Sequence, residues 1–252
     1  MFERPLSYKD IFNKRADAYH KAMLDWPNAR AEEFEAILEN LVFREDTHVI
    51  DIPAGGGYLA NYLPKETKLI HLETSELFTE LGHSGSTHPL KLCSLNALPI
   101  QDASVDIALS LAGLHHTEDK TSLFKEIFRC LSAGGKCVIA DAGANSPVAI
   151  FLDGWLSDHN SMGHAGWYLD SSTTDELTKI GFTSISKETR SYHWTFSSKE
   201  EAGAYCKLMF GIDLANIEDI ANALNAHLGF DSLPNGNVGL KWQLDFITAT
   251  KP

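Results

Sequence analysis

The feature that most constrains the fold is a break within residues 49–57, where an apolar run containing Asp51 gives way to three consecutive glycines. Glycine has no Cβ, and the first N–H groups of a helix lack partners, so a strand that enters a glycine-rich turn before a helix lets the backbone approach a ligand closely. Residues 58–63 are apolar enough to begin such a helix. The pattern predicts a strand, a turn and a helix around a pocket for a nucleotide.

A second apolar run, residues 68–72, ends at Glu73. Doubly wound α/β sheets carry an acidic residue about 20 residues after the glycine turn, and that acid binds both hydroxyls of a ribose. A glycine run alone is more often an ordinary turn, and an acid alone is more often a solvated strand end. The two features together predict a nucleoside-binding site.

The order of residues around the glycines separates two classes of cofactor. A dinucleotide site has G-x-G-x-x-G directly after the strand, where it seats a pyrophosphate on the helix N-terminus. In this chain Pro53 takes the first small position, and Asp51 lies at the end of the strand. The Asp51 carboxylate would repel a pyrophosphate, but it can receive the ammonium group of an amino-acid tail. The pattern favours a zwitterionic cofactor.

Four ordered motifs resemble those of the class I S-adenosylmethionine-dependent methyltransferases. Residues 49–57 resemble motif I, D-x-G-x-G-x-G, in its proline-bearing form, and residues 98–110 are similar to the stretch L-P-F-x-D-x-S-F-D-x-V-x-S. Residues 114–116 match the common L-H-H, and residues 124–136 match the helix and the L-K-P-G-G turn before the fifth strand. The resemblance covers roughly residues 45–141, and its subgroup looks like the small-molecule methyltransferases of ubiquinone and menaquinone biosynthesis.

The resemblance implies S-adenosylmethionine as cofactor, S-adenosylhomocysteine as product, and a set of residues around them. Glu73 would hold the ribose. The methionine part would be surrounded by Asp51, Pro53, Ala54, Gly55 and Gly57. The other implied residues are Thr74, Ser94, Leu95 and Asn96 beside the adenine, Ser110 and Leu111 at the end of the fourth strand, and Tyr19 and Arg30 on the N-terminal helices, which in the family often close over the cofactor carboxylate.

Two positions depart from the family pattern. Pro53 replaces the first glycine, so this position has no N–H to donate and its φ is restricted to about −65°. Ser94 stands where the family has an adenine-facing aspartate, and either its hydroxyl or Asn96 would replace that contact.

Methyl transfer asks little of side chains, because the sulfonium is already activated and positioning accounts for much of the rate. A base is needed only where the acceptor must lose a proton, and an imidazole has a suitable pKa. His116 is the first candidate, followed by His115 and His20, and His159 and His164 in a later segment are further candidates. No metal is predicted, because the chain lacks an H-x-x-x-H helix pair and an accompanying Cys and Asp pattern.

Composition limits the partners. The 252 residues carry a formal net charge of −13, with 21 basic and 34 acidic side chains. DNA and bulk RNA are therefore poor candidate substrates, and a small neutral or cationic acceptor suits the negative electrostatic field of the protein better. No apolar run is long enough to span a membrane, and the N-terminus lacks the order of a signal peptide, which predicts a cytoplasmic protein. Four scattered cysteines are expected to be free thiols. A monomer and a homodimer both remain open.

Periodicity predicts an α/β fold, a Rossmann-like doubly wound sheet with right-handed crossovers. The resemblance implies seven mainly parallel strands with an antiparallel last strand. The predicted organisation is an N-terminal helical cap, residues 1–41, with two helices joined near residues 26–28, followed by the Rossmann-like domain, residues 42–252. Strands are expected near residues 48–52, 68–73, 89–93, 105–110, 136–141, 183–195 and 240–250.

Two segments exceed what the sheet needs. Residues 143–170 contain Trp155, Trp167 and other aromatic residues after the fifth strand, at the ligand-bearing end, and are interpreted as a substrate lid. Residues 197–236 are expected to add a helix pair. For this second insertion we favour packing, with dimerisation as an alternative, because aromatic residues at helical spacing usually pack.

The sequence therefore predicts an enzyme of class EC 2.1.1, an S-adenosylmethionine-dependent methyltransferase that acts on O, N or C of a small molecule. The aromatic residues of the first insertion suggest a partly apolar, planar acceptor. One alternative is a regulatory protein that binds the cofactor without catalysis, which the two departures support. An NAD-dependent oxidoreductase ranks third, since Glu73 suits a ribose but the glycine pattern does not suit a pyrophosphate.

Overall fold

A mixed sheet of eight strands organises the computed structural model, which describes residues 6–82 and 89–252. The order across the sheet is β3-β2-β1-β4-β5-β8-β6, and β7 also pairs with β8. The strands are β1 (His48–Asp51), β2 (Lys68–Glu73), β3 (Leu90–Leu92), β4 (Val105–Leu111), β5 (Leu131–Asp141), β6 (Thr183–Phe196), β7 (Phe230–Ser232) and β8 (Val238–Thr250).

The first five strands are parallel to one another, and β8 runs antiparallel to both of its neighbours, β5 and β6. This arrangement confirms the prediction of a mainly parallel, Rossmann-like sheet with an antiparallel last strand. Asp51 lies opposite His71 on β2 and opposite Leu109 on β4. The carboxyl ends of these strands therefore meet at one edge of the sheet.

Two strand predictions need correction. The sequence analysis missed β7, which has three residues and pairs with the start of β8, because so short a strand shows no alternation. Strand β5 begins at Leu131 instead of residue 136, and Leu131 pairs with Val105. Gly134 has φ +78°, as the glycine turn predicted, but it lies within that longer strand and not directly after the helix.

Eight α-helices surround the sheet in the described ranges. The two predicted N-terminal helices are present, and Ser7 caps the first of them through the backbone N–H of Asp10. The predicted helix pair of the second insertion is also present. The helices are α1 (Tyr8–Asp25), α2 (Ala31–Leu38), α3 (Glu76–Leu81), α4 (Lys120–Cys130), α5 (Pro147–Phe151), α6 (Ser171–Ile180), α7 (Lys199–Phe210) and α8 (Ile217–His227). None of the helices in the part that the structure describes is long and apolar enough to cross a membrane.

The helix predicted after the glycines is wrong in length. Only a four-residue 3-10 turn, Tyr58–Asn61, follows Gly57. Pro64 limits the segment, since proline disfavours the helical conformation in the residue before it and has no N–H of its own. The Tyr58 ring also folds back over Gly56, where an added Cβ would lie 2.5 Å from the tyrosine hydroxyl oxygen.

Apolar side chains pack on both faces of the sheet. Ile107 and Leu109 belong to one buried cluster, and Ala108 between them belongs to the other, as expected because successive side chains of a strand point to opposite faces. The four cysteines are free thiols, as predicted, and three of them are buried.

A buried ion pair joins the N-terminal helices to β6. Arg30 and Glu33 are 4% and 0% exposed, and the Arg30 Nε donates to Glu33 Oε1 at 3.0 Å. The indole N–H of Trp194 donates to the other Glu33 oxygen at 2.7 Å. A guanidinium η nitrogen of Arg30 also donates to the Tyr19 hydroxyl at 2.6 Å. The position of Arg30 therefore depends on Glu33.

We expect Glu33→Gln to lower the free energy of unfolding by about 3–5 kcal/mol, because it leaves the buried Arg30 charge unpaired. Urea denaturation measures the change. The control is Asp25→Asn, which breaks the exposed Lys21–Asp25 pair and should cost at most about 0.5 kcal/mol. Equal losses in the two variants would contradict a special role for the buried pair.

Candidate cofactor and acceptor site

Three adjoining spaces lie at the carboxyl edge of the sheet. We call them the glycine-turn cavity, which contains residues 53–55 in its wall, the outer cleft, which contains residues 92–96, and the aromatic cavity, which is lined by three histidines and five larger aromatic residues. The loops after β1, β2, β3, β4 and β5 all contribute to these spaces, as the sheet topology predicted.

The glycine-turn cavity lies beside the loop that follows β1. Its walls include most of the residues predicted for the methionine part of the cofactor, together with both predicted residues of the N-terminal helices. Gly55 has φ +56°, and a Cβ added there would meet no atom within 4 Å. The backbone at Gly55 is thus open to a ligand. The predicted residues that line the cavity are Tyr19, Arg30, Asp51, Pro53, Ala54, Gly55 and Leu111.

Gly57, Glu73 and Ser110, three other predicted cofactor residues, are not in the lining of any of the three spaces. Gly57 has φ +77° and faces β2, where an added Cβ would lie 3.3 Å from the His71 ring. Ser110 is 1% exposed within β4. These positions indicate that Gly57 allows the backbone conformation of the turn and that Ser110 is packed within the strand.

Asp51 is held by a histidine that the sequence analysis did not single out. The Nδ1 of His71 lies 3.0 Å from Asp51 Oδ2, and both residues are buried at paired positions of β1 and β2. The signal was present in the sequence, since each is a polar residue within an apolar strand. His71 orients the carboxylate at the base of the glycine-turn cavity.

Glu73 is fully buried and accepts four hydrogen bonds. The backbone N–H groups of Gly55, Thr74 and Ser75 donate to it at 2.6, 2.7 and 2.7 Å, and the Tyr8 hydroxyl donates at 3.2 Å. Burial raises the pKa of the Glu73 carboxyl to about 7, against the opposing effect of these donors. Tyr8 lines both the glycine-turn cavity and the outer cleft. Tyr8 therefore lies between the two spaces, with its hydroxyl on the Glu73 carboxylate.

The outer cleft collects the residues predicted to surround the adenine. Thr74, Ser94, Leu95 and Asn96 all line it, and the first turn of α1 forms the opposite wall. The Ser94 hydroxyl donates to Asn96 Oδ1 at 2.7 Å. The two side chains proposed to replace the family aspartate thus contact each other.

A cluster of three imidazoles lies between the outer cleft and the aromatic cavity. The ring centroid of His115 is 4.1 Å from that of His116 and 5.6 Å from that of His164, and the last two are 5.3 Å apart. His20, the third predicted catalytic histidine, lies outside this cluster, with its Nδ1 2.7 Å from the Tyr58 hydroxyl. His159 also lies apart, stacked on Trp155.

Carboxylates bind two of the three imidazoles. The His115 Nδ1 lies 2.7 Å from Asp141 Oδ1, and the His164 Nδ1 lies 2.7 Å from Asp153 Oδ1. An ionised carboxylate only accepts, so Nδ1 carries a proton in both rings, and in a neutral ring Nε2 keeps its lone pair. Burial, with the neighbouring His115 and His164, holds the pKa of His116 well below its usual value. One nitrogen from each of the three rings lies within 4.8 Å of the others.

The aromatic cavity extends from this cluster. Trp194 and Trp242 line it, and their rings stack on each other with centroids 4.0 Å apart, while the Phe210 ring is tilted by about 20° from both. The other aromatic wall residues are Phe12 and Tyr19. The larger aliphatic side chains of the lining are Val148, Leu152, Leu156, Met209 and Leu244, and its charged side chains are Arg15, Arg30 and Asp141.

The expected sources of the aromatic lining need correction. Trp155 of the first insertion packs against Phe151 and His159, and Trp167 lies at the outer cleft. The first insertion contributes aliphatic residues and His164 to the cavity instead. In the second insertion, α7 packs as predicted but also places Met209 and Phe210 in the cavity wall. The alternation of Tyr192, Trp194 and Phe196 along β6 was the signal that the sequence analysis missed.

Comparisons with known proteins bear on the class of this site. A family model described as "Methyltransferase domain" matches residues 50–139. A glycine/sarcosine/dimethylglycine N-methyltransferase from Actinopolyspora halophila is 24% identical over 208 residues, which are 78% of this chain but 34% of that protein. The chain thus spans only about a third of that relative. A malonyl-[acyl-carrier protein] O-methyltransferase from Marinomonas sp. (strain MWYL1) is 24% identical over 205 residues, which are 78% of this chain and 75% of that protein.

The fold itself is found among solved methyltransferase structures. An S-adenosylmethionine-dependent methyltransferase from Thermotoga maritima, described as a possible histamine N-methyltransferase, superposes with a TM-score of 0.66 at 17% identity, over 97% of this chain and 100% of that one. Residues 50–139 thus match the model of a methyltransferase domain, and the chain has the fold of solved S-adenosylmethionine-dependent methyltransferases.

Proposed function

We propose that the protein transfers a methyl group from S-adenosylmethionine to a small molecule whose apolar, planar part lies in the aromatic cavity. One observation carries the proposal. Phe12, Tyr19, Arg30 and Ala112 line both the glycine-turn cavity and the aromatic cavity, so the two spaces meet at a common wall. A donor in the first and an acceptor in the second would approach each other there, as an in-line displacement requires.

The residues of the glycine-turn cavity fit the cofactor. S-adenosylmethionine supplies a methyl group already activated by a positively charged sulfur. Asp51, oriented by His71, would receive the ammonium group of its amino-acid part, and the open backbone at Gly55 leaves room for close approach. Arg30 carries the positive charge that suits the carboxylate, and Glu73 would accept from the ribose hydroxyls. Thr74 and residues 94–96 of the outer cleft would surround the adenine.

The histidine cluster would face the reacting end of the acceptor. Burial keeps the His116 imidazole neutral near pH 7, so it can accept a proton or a hydrogen bond from the acceptor. Asp141 fixes the ring of His115 at the same end of the cavity. We therefore assign His116 and His115 to contact with the acceptor, whereas the position of His20 beside Tyr58 argues against that role.

The shape of the aromatic cavity argues for an acceptor unlike those that name the two sequence relatives. Glycine, its methylated derivatives and a malonyl group contain no ring, whereas five large aromatic side chains line the cavity. An aromatic lining favours a planar partner. The N-terminal helices would cap both ligands, and the first insertion would cover the acceptor.

The direct test is transfer of labelled methyl from S-adenosylmethionine to a panel of aromatic amines, phenols and aromatic carboxylic acids, compared with glycine. We expect turnover on at least one aromatic class. Tight binding of S-adenosylhomocysteine without turnover on any acceptor would support the regulatory alternative, and NADH binding alone would overturn the proposal.

A variant that fills the aromatic cavity separates the two ligands. Leu152→Trp places an indole in the cavity, so we expect turnover to fall at least tenfold. The affinity for S-adenosylhomocysteine should stay within about twofold of the wild type, which is a much smaller change in free energy than the 1.4 kcal/mol of a tenfold change. The matched control is Ile150→Trp, on the same helical segment but 59% exposed, which should retain turnover. Loss of turnover in both variants would contradict the assignment of the cavity.

We expect Tyr8→Phe to bind S-adenosylhomocysteine about 2 to 10-fold more tightly than the wild type. The variant keeps the ring but removes the hydroxyl that competes with the ribose for Glu73, a hydrogen bond worth about 0.5–1.5 kcal/mol. Isothermal titration measures the change. Weaker binding would mean that the Tyr8 hydroxyl contacts the cofactor instead.

The pKa of Glu73 predicts a pH dependence of cofactor binding. The carboxyl is mostly protonated below pH 7 and ionised above it, and the ionised form is the better acceptor for ribose hydroxyls. From pH 6 to pH 8 we expect the affinity for S-adenosylhomocysteine to rise by up to about tenfold. In Glu73→Gln binding should be weak, and this rise should be absent. The same rise in both proteins would assign the dependence to another group.

A further inference from the structure

Three histidines from two separate segments meet at the end of the aromatic cavity. His115 and His116 follow β4, whereas His164 lies in the loop beyond α5. One nitrogen of each ring lies within 4.8 Å of the other two, the only such group of histidine, cysteine or acidic side chains found in residues 6–82 and 89–252. Three imidazoles are a sufficient protein ligand set for a metal ion that keeps one open position.

The residues behind the histidines are those that metal sites use to orient their ligands. Asp141 binds the Nδ1–H of His115, and Asp153 binds the Nδ1–H of His164, each at 2.7 Å. Asp153 is itself held by the Tyr168 hydroxyl at 2.6 Å and by the backbone N–H of Gly166 at 3.0 Å. A carboxylate on Nδ1 leaves Nε2 as the ligand atom and makes it more basic. A single carboxylate–histidine pair is enough for proton transfer, whereas this cluster contains two, as expected if both imidazoles bind a metal ion.

The local charges also allow a cation. Asp141 and Asp153 bring two negative charges to the rear of the cluster, while Arg15, whose guanidinium donates to the Met209 carbonyl oxygen at 2.7 Å, brings one positive charge nearby. The carboxylates touch the ligand rings directly, whereas the guanidinium is engaged elsewhere. Lys120 also interacts with Asp141, so the negative charge is confined to the two carboxylates that contact the rings.

We propose that His115, His116 and His164 form a binding site for a divalent transition metal ion of the zinc type, with a fourth position open to the aromatic cavity. Imidazole nitrogen suits Zn²⁺ and its neighbours in the periodic table and does not suit Mg²⁺, which requires oxygen ligands. Tetrahedral bonds of about 2.0–2.1 Å would draw the three nitrogens to about 3.4 Å from one another. With the metal bound, an oxygen or nitrogen atom of the acceptor would take the open position, so His115 and His116 would act on the acceptor through the metal and not by accepting its proton. This last step alone rests on the proposed function.

Metal binding is measured first, without any acceptor. The full chain, free of a histidine tag and stripped by a chelator, is titrated with Zn²⁺ and, in parallel, with Mg²⁺, and its metal content is measured after gel filtration. Co²⁺ serves as a visible probe of coordination. We expect one equivalent of Zn²⁺, a tetrahedral Co²⁺ spectrum and no retention of Mg²⁺.

Variants assign the ligands. His116→Ala and His164→Ala should each weaken Zn²⁺ binding at least 100-fold, whereas the control His159→Ala, in the same insertion but outside the cluster, should bind as the wild type does. Asp153→Asn should weaken binding about 10 to 100-fold, because it orients a ligand without touching the metal. Thermal melting checks that each variant is folded, and His164→Gln replaces His164→Ala if needed.

The outcomes for this site and for the methyl transfer are independent. Failure of the wild type to retain Zn²⁺ or Co²⁺, or retention that survives the loss of His116 and His164, would overturn the metal site. S-adenosylhomocysteine binding is measured on the same samples. Metal retention without methyl transfer would overturn the proposed function and leave the site, whereas full turnover of the metal-free protein would exclude a part for the metal in the reaction.

Discussion

The buried carboxylate of Glu73 ties together the segments on which the site depends. It ends β2, accepts from the glycine turn through Gly55, and accepts from the start of the next loop through Thr74 and Ser75. The hydroxyl of Tyr8 adds α1 to the same carboxylate. An acid with four donors costs less to bury than an unpaired one, because each donor replaces water that was lost. The turn, the loop and the cap are therefore positioned by one group.

The parts that could be predicted from sequence are those encoded within short, contiguous segments. The strand ending at Asp51, the glycine turn and the acid at Glu73 have a fixed spacing, because one crossover unit sets the distance between two neighbouring parallel strands. The long strands β6 and β8 could be predicted from their β-branched and aromatic residues. The helix after the glycines failed because Pro64 and the fold-back of Tyr58 overrode the apolar pattern, and β7 was too short to show a pattern.

The acceptor end of the site could not be predicted in the same way. Its walls come from β6, β8 and α7, and they face the cavity because the last strand enters the sheet between β5 and β6. Nothing in the order of residues along the chain reveals that Trp194 and Trp242 will stack. The meeting of His164 with His115 likewise depends on how Asp153 and Asp141 hold their rings. Local motifs encode the glycine turn and the acid at Glu73, whereas contacts between distant segments build the aromatic cavity and the histidine cluster.

The common wall between the glycine-turn cavity and the aromatic cavity has a thermodynamic consequence. Arg30 is a single buried charge that lines both spaces, and its guanidinium is held by Glu33 and Tyr19. Two ligands that contact the same charged group are linked, and each changes the affinity of the other by the same factor. An anionic acceptor would compete with the cofactor carboxylate for this charge, whereas a neutral acceptor would leave it to the cofactor. Occupancy of the glycine-turn cavity would therefore help to decide whether the aromatic cavity prefers a neutral or an anionic acceptor.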